Sequence, residues 1–129
     1  MRTARRQVYV LVALAALQGA LVPNVEAADE SLVVVVKVFP TAGREDELQV
    51  RYEKQIDFLR KTEPSASFRL LRSTKDPAFF LWYETYESQA ALDNHLKVAM
   101  PAFRRESGPT PDGLIARPSE SETYREVKK

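Results

Sequence analysis

Apolar residues fall along this chain in more than one rhythm. Leu32 to Phe39, LVVVVKVF, is β-branched and almost wholly apolar, the composition of a strand buried on both faces. Pro40-Thr41-Ala42-Gly43 ends it. From Arg44 to Lys61 the spacing lengthens: Leu48, Tyr52, Ile56 and Leu59 recur every three or four residues, one stripe of an amphipathic helix. Glu45, Asp46 and Glu47 fill its first turn and Arg60 and Lys61 its last, matching the helix dipole at both ends.

Glu63-Pro64-Ser65 closes that helix, and Ser67 to Arg72 alternates as a second strand does. Lys75-Asp76-Pro77 turns the chain into the aromatic-rich run Phe79 to Tyr86, a third strand. Ser88 is placed to cap a second helix with Leu92, Leu96, Ala99 and Phe103 in one stripe, bent or restarted by Pro101. Residues 106–119 carry three prolines and two glycines and read as a loop, with a short strand at Leu114-Ile115; Glu122 to Val127 alternates as a last strand. The order β-α-β-β-α-β predicts an α+β fold, a ferredoxin-like antiparallel sheet with two helices on one face. Both faces of the first strand are largely apolar: Val33, Val35 and Lys37 on one, Val34, Val36 and Val38 on the other. One face is left for a second subunit, so a homodimer through the sheet face is expected.

The first residues follow a different pattern. Arg2, Arg5 and Arg6 precede an apolar run from Val8 to Val22, then Pro23 and the small residues around Ala27-Ala28. This reads as an export signal over residues 1–27 ahead of a single domain at 28–129, with a periplasmic or secreted product. The run is shorter than the roughly 20 residues of a spanning helix, so no membrane association is expected after cleavage.

Charge changes the picture once the signal is set aside. The 19 basic and 18 acidic residues become 16 and 17 when Arg2, Arg5, Arg6 and Glu26 are removed. The two signs are interspersed, which gives no footprint for nucleic acid. With no Cys and one His, thiol chemistry, disulfides, Cys-ligated zinc and iron–sulfur clusters are excluded, and no metal site is expected. Neither a Gly-rich phosphate loop nor a dinucleotide fingerprint is present, so no cofactor is expected either.

What chemistry remains gathers between Leu81 and Leu96. Alternation puts Phe80, Trp82, Glu84 and Tyr86 on one strand face, and His95 lies at the border of the second helix's stripe. If that face meets the helices, these groups can share a small apolar cavity with a few polar atoms. Each also has a plainer role. Trp82 and Phe80 suit the core, Glu84 suits an exposed strand position or a partner for Arg69 or Arg72, and His95 a structural hydrogen bond.

The chain from Leu32 to Val127 resembles the antibiotic biosynthesis monooxygenase family. The likeness is carried by the apolar first strand with Pro40 and Gly43, by Glu63-Pro64, by Leu81-Trp82-Tyr83-Glu84 with Tyr86, and by Ala90-Ala91-Leu92 with His95-Leu96. It implies a dimeric α+β barrel whose enzymes oxygenate a small aromatic or quinol-like molecule with O2, using neither metal nor flavin. Within it His95 is implied as base or hydrogen-bonding group, Tyr86 and Glu84 as its catalytic companions, and Trp82, Phe80, Leu92 and Phe103 as substrate-binding residues. Ser65 stands where the family usually has Gly, and Ala102 where many relatives carry a second His. Val36, Tyr86 and Arg105 occupy the places of the Asn, Trp and His of a haem-degrading branch, so haem degradation is not expected. A noncatalytic dimeric module binding a small molecule in the same pocket is the alternative, and a ligand-free structural dimer a third.

Overall fold

The computed structural model describes residues 30–129; the apolar run and the cleavage site expected after Ala27 or Ala28 lie outside the described residues. The elements are β1 (Leu32–Pro40), α1 (Glu45–Thr62), β2 (Ser67–Arg72), β3 (Phe80–Tyr86), α2 (Gln89–Asn94), a π-helical turn (His95–Ala99), α3 (Met100–Ser107) and β4 (Ile115–Arg125). The four strands form one sheet in the order β2-β3-β1-β4, each neighbour antiparallel. This is the ferredoxin-like α+β arrangement expected from the order of elements.

The sheet's register decides what is buried. Val34, Val36 and Val38 stand opposite Glu84, Trp82 and Phe80, so one face of β1 and β3 is continuous. That face packs on the helices: Leu32, Val34, Val38, Phe68, Phe80, Trp82 and Tyr86 are all buried. From α1 come Leu48, Tyr52 and Leu59, with Gln55 also buried and Ile56 at the flank. Tyr52 fastens the helix to the sheet, standing edge-on to Trp82 at 5.0 Å and to Phe80 at 5.8 Å between centroids. The other face carries Val33, Val35, Leu81, Tyr83, Leu71 and Tyr124 in adjoining positions, the last three 37%, 44% and 48% exposed.

Two expectations are corrected. Leu96 is 59% exposed instead of sharing the stripe of the second helix; His95, 4% exposed, takes that place between Leu92 and Ala99. Pro101 shapes the turn that follows His95. Having no N–H, it cannot continue the α-helical ladder, and the turn before it widens so that Met100 N–H bonds to His95 O. The helix is restarted, as the proline predicts, and Gly108, at φ 77°, ends it while its carbonyl accepts from Arg51 at 2.7 Å.

The second correction concerns the C-terminal strand. In place of a short strand at Leu114-Ile115 and another from Glu122, β4 is one strand of 11 residues, all but its first exposed. It is an edge strand, where Pro118 costs no ladder bond on its open side. The register also shifts between Lys37 and Phe39, where β4 moves from Glu120 to Arg117, so a bulge absorbs the proline.

Leu48 is fully buried and Val50, one turn face away on α1, is 52% exposed. Leu48→Ala is expected to lower unfolding stability by about 2–5 kcal/mol. Val50→Ala should stay within about 0.5 kcal/mol in the same urea titration.

Candidate active site

Strand parity brings Glu84 and Tyr86 inward together. With Phe80 and Trp82 holding the buried side of β3, the residues two and four positions beyond Trp82 must follow them in. Glu84 is 6% and Tyr86 1% exposed, and the Tyr86 hydroxyl donates to Glu84 Oε2 at 2.6 Å. Arg69 lies on the opposite face beside Tyr83, and Arg72 is engaged with Asp46 and Gln49 on α1, so neither arginine partners Glu84.

The second helix delivers His95 to the same place. Ser88 caps it, its Oγ accepting the Ala91 N–H at 3.1 Å, which sets the helix direction. His95 Nδ1 then lies 2.7 Å from Oε2 of Glu63, a buried carboxylate that the sequence reading took only as part of a helix terminator. Glu63 is the C-cap of α1, held by its N–H on Leu59 O at 2.7 Å and by the Ala66 N–H on its own carbonyl at 3.1 Å. Phe68 closes the cluster, stacked on the imidazole at 5.7 Å and edge-on to Tyr86 at 6.0 Å; the Tyr86 and His95 rings are 5.3 Å apart.

Two acids, one imidazole and one phenol thus meet at the end of the sheet where β1 begins and β3 ends. Burial pushes the Glu84 carboxyl above the ordinary range; the Tyr86 hydroxyl and His95 oppose this, and Glu63 adds to it. Burial and the neighbouring carboxylates also hold the Tyr86 phenol well above its usual value, so it stays protonated and donates. Among the described residues no fully buried side-chain nitrogen or oxygen lacks a partner. The arrangement can accept a proton, hold it and stabilise an adjacent anion, the tasks of general acid–base chemistry. Among the described residues no group of three His, Asp or Glu side chains is set to hold a metal ion.

His95, Tyr86 and Glu84 are therefore assembled, but packed on one another instead of around an open cavity: the aromatic rings fill the space between sheet and helix. The other sequence-chosen residues are dispersed. Trp82 is locked against Tyr52, and Leu92 is in the core. Phe80 lines a cleft of about 400 Å³ between α1 and β2, with Arg60, Arg69 and Arg72. Phe103 borders two clefts, of about 320 and 310 Å³, on the outer side of α1 and α3. A further cleft of about 290 Å³ lies between residues 62–66 and 87–94, where Glu63 forms part of the wall with Ser65, Ser88 and Asn94, while His95, Glu84 and Tyr86 do not line it.

Residues 31–105 match the family model described as antibiotic biosynthesis monooxygenase. The chain belongs to that family. Among solved structures, a Caulobacter crescentus CB15 protein named as an antibiotic biosynthesis monooxygenase superposes with a TM-score of 0.65 at 19% identity, over 80% of this chain and 95% of that one. One of the same name from Nitrosomonas europaea gives 0.60 at 17% identity, covering 77% and 92%. Rv0793 from Mycobacterium tuberculosis gives 0.59 at 20%, covering 77% and 97%. No curated protein matches. At these identities the likeness establishes the fold, and the chemistry of this family member has to be argued from its own cluster.

The raised Glu84 has a pH signature. An acid whose folded pKa exceeds its unfolded one is bound more tightly to its proton in the native state. Its contribution is complete below the ordinary glutamate value of about 4.3 and is lost as pH rises through the folded value. Glu84→Gln keeps an acceptor for Tyr86 without the charge. It is expected to be more stable than wild type at about pH 8, with the difference shrinking towards about pH 4, in urea unfolding at each pH.

Proposed function

We propose that this protein is a cofactor-independent monooxygenase that oxidises a single-ring hydroquinone or a comparable electron-rich phenol with O2. The observation that carries the reading is the buried His95, bonded to Glu63 and 5.3 Å from the Tyr86 ring, in a chain of the antibiotic biosynthesis monooxygenase family. An imidazole takes the phenolic proton, and the resulting anion is electron-rich enough to reduce O2. The stoichiometry closes without another reductant: hydroquinone and O2 give hydroxyquinone and water, one oxygen atom entering the ring and the other leaving with two hydrogens. The Tyr86 hydroxyl, donating to Glu84 Oε2, holds that carboxyl beside the imidazole.

A single ring is the size that suits the cleft of about 290 Å³ whose wall includes Glu63 and Asn94, next to His95 in the chain. The second reading, a noncatalytic dimeric module that binds a small molecule, is favoured by the dense packing of the same cluster. It is distinguished by saturable binding without O2 consumption. Both readings include a homodimer through the open sheet face, where Val33, Val35, Leu81, Leu71, Tyr83 and Tyr124 need a cover. The export signal expected over residues 1–27 supports a product outside the cytoplasm.

Oxygen uptake by the protein with a panel of hydroquinones should exceed autoxidation. It should fall about 10²–10⁴-fold in Tyr86→Phe and in His95→Ala. Uptake equal to autoxidation with every member, alongside saturable quinol binding, favours the binding module. Sedimentation at micromolar concentration is expected to give a dimer, and Val35→Lys on the open face a monomer; a wild-type monomer overturns the sheet-to-sheet pairing.

A further inference from the structure

His95 is the one histidine of the chain, and the placement of the proton on its ring decides which nitrogen can act. Nδ1 lies 2.7 Å from Glu63 Oε2, with the histidine 4% and the glutamate 7% exposed. An ionised carboxylate only accepts, so the hydrogen of that bond sits on Nδ1. In a neutral ring the lone pair is then on Nε2.

Glu63 is poorly able to give way. Its backbone is pinned to Leu59 O on one side and to the Ala66 N–H on the other, which fixes the carboxylate's origin at the end of α1. The imidazole is equally confined, with the Phe68 ring stacked on it and the Tyr86 ring beside it. Rotating the ring to exchange its nitrogens leaves a buried carboxylate without a donor, a larger loss than the hydrogen bond itself. Glu63 and Asn94, the residue before His95, are both in the wall of the cleft between residues 62–66 and 87–94.

We infer that Glu63 is the positioning residue of this site: it holds His95 as the Nδ1–H tautomer and leaves Nε2 as the nitrogen that receives the substrate proton. The catalytic half of this assignment rests on the oxygenase reading, whereas the tautomer can be observed without turnover.

Tag-free protein labelled with 15N-histidine has a single imidazole, so its long-range 1H–15N correlation spectrum needs no assignment. On the alkaline side, where the ring is neutral, wild type is expected to show Nδ1 protonated and Nε2 bare. Glu63→Gln, which keeps an acceptor, should do the same. Glu63→Met, of similar volume but without an acceptor, should move the proton to Nε2, the tautomer free histidine prefers. A wild-type spectrum with Nε2 protonated overturns the assignment by itself, even if the methionine variant fails to fold. So does a folded Glu63→Met that keeps Nδ1–H. In hydroquinone-dependent O2 uptake, Glu63→Met should lose about 10²–10⁴-fold in kcat with KM little changed, and Glu63→Gln should recover part of it. Full kcat in a variant whose tautomer has moved overturns the positioning role. A tautomer that moves as expected in a protein that never consumes O2 upholds Glu63 and refutes the oxygenase reading.

Discussion

A carboxylate taken out of water must be given a donor, and two such demands organise one end of this molecule. Glu63 and Glu84 are both buried, and each is met by one side chain from elsewhere in the fold or strand: His95 for the first, Tyr86 for the second. Leaving either buried acid without its donor costs about 1–3 kcal/mol, an appreciable part of the stability of a small domain. The two pairs therefore act as register pins. A one-residue slip of β3 carries Glu84, Tyr86, Trp82 and Phe80 to the open face at once. A change of phase in the second helix removes His95 from Glu63.

The same demand explains why the second helix buries a histidine and exposes a leucine. Positions 95 and 96 both fit a stripe that runs through Leu92, Ala99 and Phe103, because helical spacing allows three or four residues between neighbours. Burying Leu96 is worth about 2 kcal/mol. Turning His95 outward forfeits the partner of Glu63, a loss of comparable size, and the helix takes the phase that satisfies the acid. The π-helical turn before Pro101 occupies the stretch where that choice is made, and it lets α3 resume with Phe103 still inward.

The fold was legible wherever burial imposed a period. The valines of β1, the stripe of α1 and the inward parity of β3 each follow from one face being apolar, and the order of elements carried the topology. β4 was not legible, because an edge strand exposed on nearly every residue has no face to impose alternation, and Pro118 reads as a loop until a bulge accommodates it. Of the site, Glu84 and Tyr86 could be placed through Trp82. Glu63 was missed, although a signal existed: an acid just past Arg60 and Lys61, at the negative end of a helix dipole, is poorly placed unless a donor waits for it. The sequence distance of 32 residues to that donor hid the pair.

Replacing a buried, hydrogen-bonded ionic group by well-packed apolar side chains is often neutral or stabilising. Glu63, Glu84, Tyr86 and His95 could on that ground give way to leucine and phenylalanine at one end of a core that is otherwise aromatic and aliphatic. The register pins do not require this chemistry, since apolar pairs would hold β3 in the same parity. What an apolar end could not do is accept a proton, or hold an acid of raised pKa beside an imidazole and a phenol. Stability alone thus gives no reason for this particular end of the core to be polar, and the functional reading begins from that surplus.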